Sequence, residues 1–168
     1  MPSNRKLIII TGTPGVGKST LARKLARKTG FKRIDISQHY AELAIKYDRK
    51  KQCYEIDLKR LQNLIKKEAS NLPRGKKLIL DSHIAHLLPK TIVDWCIVIS
   101  CQNLKLLERR LKKRSYSKKK IRENLDAEIF QICLNEAREQ GHHILEVEQG
   151  KIDLNKILRK ICLNKNNP

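Results

Sequence analysis

The chain has 168 residues, 40% of them hydrophobic, a length suited to one domain around one core. Lysine and arginine outnumber aspartate and glutamate by 37 to 17, a formal net charge of +20. A nucleotide does not need so strong a field, which draws polyanions such as RNA without regard to sequence. Five cysteines with no C-x-x-C pair argue against a disulfide frame and a zinc site and fit a reducing cytosol, and the first apolar run, four residues, is too short for a signal peptide or membrane span.

That first run, Leu7-Ile8-Ile9-Ile10, is β-branched and bounded by turn residues, so it reads as a buried strand. Gly12-Thr13-Pro14-Gly15-Val16-Gly17-Lys18-Ser19 comes next and fits G-x-x-x-x-G-K-[ST] without mismatch. Glycines let the backbone curl so that several N–H groups face one anion, and the next helix adds its positive end. In such a loop Lys18 reaches the β- and γ-phosphates and the Ser19 hydroxyl ligates Mg²⁺. Leu21, Ala22, Leu25 and Ala26 give that helix its apolar face, and Gly30 ends it.

Residues 31–36 read as a second strand, with Asp35 and Ser37 at the end where ligands gather in parallel sheets; Ser37 also suits a helix cap. Residues 38–47 read as a helix, 48–52 as a polar link, and residues from Ile56 as a helix with the stripe Leu58, Leu61, Leu64 and Ile65. Residues 35–58 thus form an excursion between strands, the place where a phosphoryl acceptor is typically housed. Leu78-Ile79-Leu80-Asp81 is a strand ending in a carboxylate suited to holding Mg²⁺ through water. His83 comes two residues later, placed to orient a water or an acceptor, and then His86.

Residues 95–99 form another buried strand, with Cys96 near its start and Cys101 just past its end, and Asn103 caps a helix bearing Leu104, Leu107 and Leu111. Between Lys105 and Arg122 stand ten basic residues and one acidic, Glu108. Arg110 and Arg114, four apart, form a guanidinium pair suited to a triphosphate or a base. A long helix is expected over 119–140 with Ile121, Leu125, Ile129, Ile132 and Ala137 inward, then a strand over 142–147 and a helix from Asp153 to Leu163. The polar tail, 164–168, is expected to fray. With no repeat or linker, one P-loop domain is expected over 1–168.

The chain resembles the nuclear adenylate kinase family, the coilin-interacting nuclear ATPase type, which has archaeal and yeast members. The resemblance rests on Gly12 to Thr20, on Asp81-Ser82-His83, and on the block Arg110-Leu111, Arg114 to Ser117, Glu123-Asn124-Leu125 and Ala127 to Gln131. It implies an α/β nucleoside-monophosphate-kinase fold: a five-stranded parallel sheet flanked by helices, an acceptor insertion at about 35–58 and a short lid at about 113–123. It also implies broad kinase activity (ATP and AMP to two ADP) with ATP hydrolysis, and a role in small ribosomal subunit maturation through a platform ribosomal protein near rRNA. Carried over, Gly15, Gly17, Lys18, Ser19 and Thr20 hold ATP phosphates, Arg114 is the lid contact with Arg110 beside it, and His83 is linked to hydrolysis. The chain departs from the family at Ser115, where the lid usually has glycine. It also lacks arginine over 36–48 and 81–90, where larger adenylate kinases grip the acceptor; His39, Lys46, Arg49 or His86 are the substitutes on offer. Acting chiefly as an ATPase assembly switch is the alternative. A small-metabolite kinase fits less well, because no Gly-Gly-Gly run follows the Asp81 strand. A cytoplasmic location is expected, or nuclear in a eukaryote.

Overall fold

A computed structural model describes residues 6–163; the tail expected to fray lies outside them. Five strands form one parallel sheet: β1 (Leu7–Thr11), β2 (Lys32–Ile34), β5 (Leu78–Asp81), β6 (Val93–Ser100) and β7 (Ile144–Glu148), in the order β2-β5-β1-β6-β7. Every pairing is parallel, with Ile9 opposite Leu80 on one side and Cys96 on the other. The helices α1 (Lys18–Thr29), α3 (Leu58–Ser70), α4 (Leu104–Lys113), α5 (Lys118–Ile129), α6 (Ile132–Glu139) and α7 (Leu154–Leu163) cover both faces.

The period-2 alternation of the strands divides the core between those faces. Leu7 and Ile9, with Leu78, Leu80, Cys96 and Val98, pack against Leu61, Leu64 and Ile65 of α3 and Leu134 and Ala137 of α6. Ile8 and Ile10, with Ile79, Trp95, Ile97 and Ile99, pack against α1, Leu107 and Leu111 of α4, Ile121 of α5 and α7. Each such side chain contributes roughly 1.5–3 kcal/mol when fully buried. Cys96 and Cys101 are buried and all five cysteines are free. Asn103 caps α4 by accepting the Leu106 N–H at 2.9 Å, and Asp153 accepts that of Lys156 at 3.0 Å.

Two elements depart from the sequence reading. The helix expected over 38–47 is a 3₁₀ turn (Ile36–His39) and one helical turn, α2 (Tyr40–Leu43), followed by an antiparallel hairpin of β3 (Ala44–Asp48) and β4 (Cys53–Ile56). Ile45 and Tyr47 favour strand, and the Asp48 carboxylate builds the turn by accepting the N–H groups of Lys50 and Lys51 at 2.9 and 3.0 Å. Asp35, not Ser37, is the cap of the 3₁₀ turn, taking both the N–H and the hydroxyl of Ser37. The long helix expected over 119–140 breaks at Gln131, whose φ of 52° is left-handed. The single apolar stripe expected of one continuous helix is lost there, so Ile129 and Ile132, expected in the core, are exposed beside Phe130, which is 66% exposed. Among the described residues no helix is long and apolar enough to cross a membrane.

The sheet also fixes the turn after β1. Gly12 has φ 137°, and a Cβ there would lie 2.4 Å from the Ile99 carbonyl oxygen of β6. Gly12→Ala is therefore expected to cost about 2–5 kcal/mol in urea unfolding. Gly150→Ala, at φ 90° with nothing within 4 Å, should cost only about 1–2 kcal/mol; equal losses would show that the Ile99 contact is not what Gly12 is for.

Candidate active site

The C-terminal ends of the parallel strands open onto one cleft of about 1500 Å³. The loop 12–17, Asp35, His83 and Gln149-Gly150 all lie at these ends, where a sheet of this kind receives ligands. The volume exceeds the roughly 300–1,000 Å³ of an ordinary small-molecule pocket.

The loop presents an anion cradle. Gly17, at φ 104°, starts α1 with no side-chain cap and no acidic residue in the first turn. Asp57 caps α3, Asn103 caps α4 and Ser117 caps α5, while α6 starts uncapped at the left-handed Gln131. The amides at the head of α1 thus remain free for an outside acceptor, reinforced by the helix dipole. Lys18 lies in the same cradle, its ammonium donating to the Gly12 and Thr13 carbonyls at 2.7 and 2.9 Å. Burial, with the nearby Arg114 charge adding to it, lowers its pKa to about 8 against the opposing pull of Asp81.

Gly15, Gly17, Lys18, Ser19, Thr20, Asp81, His83, Arg110 and Arg114, the residues singled out in the sequence, all line this cleft. The Ser19 hydroxyl donates to Asp81 at 2.6 Å, bringing together two hard oxygen groups from α1 and β5. That donor set suits Mg²⁺. Arg110 donates to the Gly15 carbonyl at 3.0 Å, tying α4 to the loop. Arg114 stands just past α4, and Ser115 takes φ 56°, so a serine holds the left-handed turn where the resembled family has glycine, at a cost of about 1–2 kcal/mol. His83 is open to the cleft; desolvation there, then the charges of Lys18 and Lys120, push its pKa down to about 4. It is neutral at pH 7, a hydrogen-bond partner rather than a strong base.

None of the four substitutes for the missing acceptor arginines lines the cleft. His39 faces Glu42 at 3.6 Å, Lys46 faces Glu55 at 3.3 Å, and Arg49 is exposed on the hairpin turn. His86, 2% exposed, bridges the Thr11 hydroxyl and the Glu136 carboxylate at 2.7 Å each.

Three features of the cleft had no sequence signal. Arg33 of β2 donates to both oxygens of Asp81, at 2.7 and 3.2 Å. Tyr40, Tyr47 and Tyr54 form an aromatic wall, with ring centroids 4.3 Å apart for Tyr40–Tyr54 and 5.0 Å for Tyr47–Tyr54. Gln52, at the hairpin turn, straps the cleft. Its side chain accepts the Ser117 N–H at 3.0 Å and its carbonyl accepts the Lys120 ammonium at 2.7 Å. Lys120 in turn lies 3.9 Å over the Tyr116 ring.

Fold and cradle together define a P-loop kinase-like protein, and its relatives agree. The family described as AAA domain matches residues 8–131. A solved gluconokinase from Sinorhizobium meliloti, 15% identical, shares the fold with a TM-score of 0.56 over 95% of this chain and 91% of that one. The Schizosaccharomyces pombe protein named adenylate kinase isoenzyme 6 homolog is 40% identical over 143 residues, 84% of this chain and 79% of that protein. The Caenorhabditis elegans protein of the same name is 36% identical over 164 residues, 94% and 88% of the two chains. The chain belongs to this adenylate-kinase-like family.

The lowered Lys18 pKa sets a pH signature. Without ligand, Lys18 loses its proton as pH rises through about 8; a bound polyphosphate favours the charged form and restores it. Binding of an ATP analogue at pH 8.5 should therefore take up a proton and weaken as pH climbs further. Calorimetry in buffers of different ionisation heat measures the uptake, and heats independent of buffer would contradict it.

Proposed function

We propose that the protein transfers the γ-phosphoryl group of ATP to a nucleoside monophosphate, AMP first among them, and hydrolyses ATP as a second activity. The observation that carries this is the uncapped head of α1 with Lys18, the Ser19–Asp81 pair, and Arg110 and Arg114 around a cleft larger than one ligand needs. The adenylate kinase names of the relatives support the choice of acceptor.

In this reading the free amides and Lys18 hold the β- and γ-phosphates, and Arg110 and Arg114 neutralise charge that develops on the transferring group. Bound Mg²⁺, held by Ser19 and by Asp81 through water, would add charge neutralisation between the phosphates. Residues 35–58 form the acceptor side, where the tyrosine wall offers a flat surface for a base. Residues 113–123 act as the lid. His83, neutral and open to the cleft, positions a water for hydrolysis by accepting its proton in a hydrogen bond. Its task there is to orient that water.

A second reading, an ATPase switch in small ribosomal subunit maturation, finds support in the +20 charge. There a platform ribosomal protein or rRNA is the partner, in the cytoplasm or a eukaryotic nucleus. Diphosphate formation from ATP with each monophosphate separates the two, since turnover indifferent to every monophosphate would leave only the switch. Lys18→Ala should lower transfer and hydrolysis together by about 10²-fold or more. His83→Ala should slow hydrolysis by about 10²-fold while affinity for an ATP analogue stays within about twofold. An unchanged hydrolysis rate would return His83 to a structural role.

A further inference from the structure

All three guanidinium nitrogens of Arg33 donate to carboxylates. Its Nε and Nη2 donate to the two oxygens of Asp81, and its Nη1 donates to Asp35 at 3.1 Å. Asp81 also accepts the Ser19 hydroxyl, so both oxygens of the carboxylate suited to Mg²⁺ are already bonded. The Asp81 side chain is 4% exposed. A carboxylate that far from water needs a compensating charge, and here the guanidinium supplies it.

A divalent cation near Ser19 and Asp81 would supply the same compensation with twice the charge. It would also repel a guanidinium held against the same oxygens. Arg33 keeps a second anchor, Asp35, which lies at the entrance to the 35–58 excursion. Arg33 and Asp35 line the cleft together with Ser37, Tyr40 and Tyr54 of the excursion. Three of the other cleft cations rest on backbone carbonyls: Lys18 on Gly12 and Thr13, Arg110 on Gly15, and Lys120 on Gln52. The planar guanidinium suits two oxygens of a phosphate as well as it suits the two of Asp81.

We propose that Arg33 alternates between two partners, Asp81 before the metal arrives and the acceptor nucleotide's phosphate afterwards. Arg33 thereby supplies the acceptor grip absent from 36–48 and 81–90. The exchange also couples the two halves of the cleft, because Mg²⁺ on the donor side frees the group that receives the acceptor. This inference rests on the kinase reading above.

The test is calorimetric titration of AMP into the full-length chain saturated with a non-hydrolysable ATP analogue, once with Mg²⁺ and once with EDTA. The wild type should bind AMP about tenfold or more tightly with Mg²⁺, the size expected of one charge-assisted bidentate contact. Arg33→Met should lose that Mg²⁺ dependence and bind AMP about tenfold more weakly in Mg²⁺, while its affinity for the Mg²⁺–analogue pair is no lower. Arg33→Lys should recover part of the loss. In the unsubstituted protein, the Arg33 Nε–H resonance should shift on adding Mg²⁺ and analogue, and again on adding AMP. Arg33→Met binding AMP as tightly as wild type, or an Arg33 resonance that ignores the metal, overturns the exchange. Wild type binding the Mg²⁺–analogue pair but no monophosphate overturns the kinase reading itself, a failure visible without any variant.

Discussion

The backbone of Gly12 pressed against the Ile99 carbonyl is the contact on which the site depends. It lets β1 turn sharply while still paired with β6, and from that turn the loop amides and the uncapped head of α1 point at a common centre. The cradle is thus a product of the sheet. β1 finds its partners at Leu78–Asp81 and Val93–Val98, some 70 to 90 residues along the chain, so no loop excised from the sheet would hold this shape. Beneath the turn, His86 ties Thr11 to Glu136 of α6. The root of the loop is therefore braced from the α6 face of the sheet.

The sheet and the cradle are legible in the sequence because their signals are local. Runs such as Leu7–Ile10 and Leu78–Leu80 announce buried strands, and the glycine-lysine-serine spacing states its own chemistry. The hairpin at 44–56 reads as helix because its turn is built by one carboxylate, Asp48, accepting from two nearby amides, which leaves no Gly or Pro to mark it. The break at Gln131 is equally silent, since a glutamine in a left-handed conformation has no sequence signature. Arg33 escapes notice for a different reason. Its partner Asp81 lies 48 positions away, and only the β2–β5 pairing brings them together.

Four of the cations in the cleft rest on an oxygen of the protein itself. Lys18 and Arg110 rest on loop carbonyls, Lys120 on the Gln52 carbonyl, and Arg33 on Asp81. A carbonyl is a weaker partner than a phosphate, so these bonds hold the side chains in place without outcompeting an arriving polyanion. The positioning that phosphoryl transfer demands is in this way largely set before any ligand enters.

The strap at Gln52 carries a further consequence. Because one residue binds both Ser117 and Lys120, the hairpin tip and the start of α5 are hinged to each other as well as to the sheet. Neither side of the doorway swings out alone without giving up both hydrogen bonds, so the two move most easily as one piece.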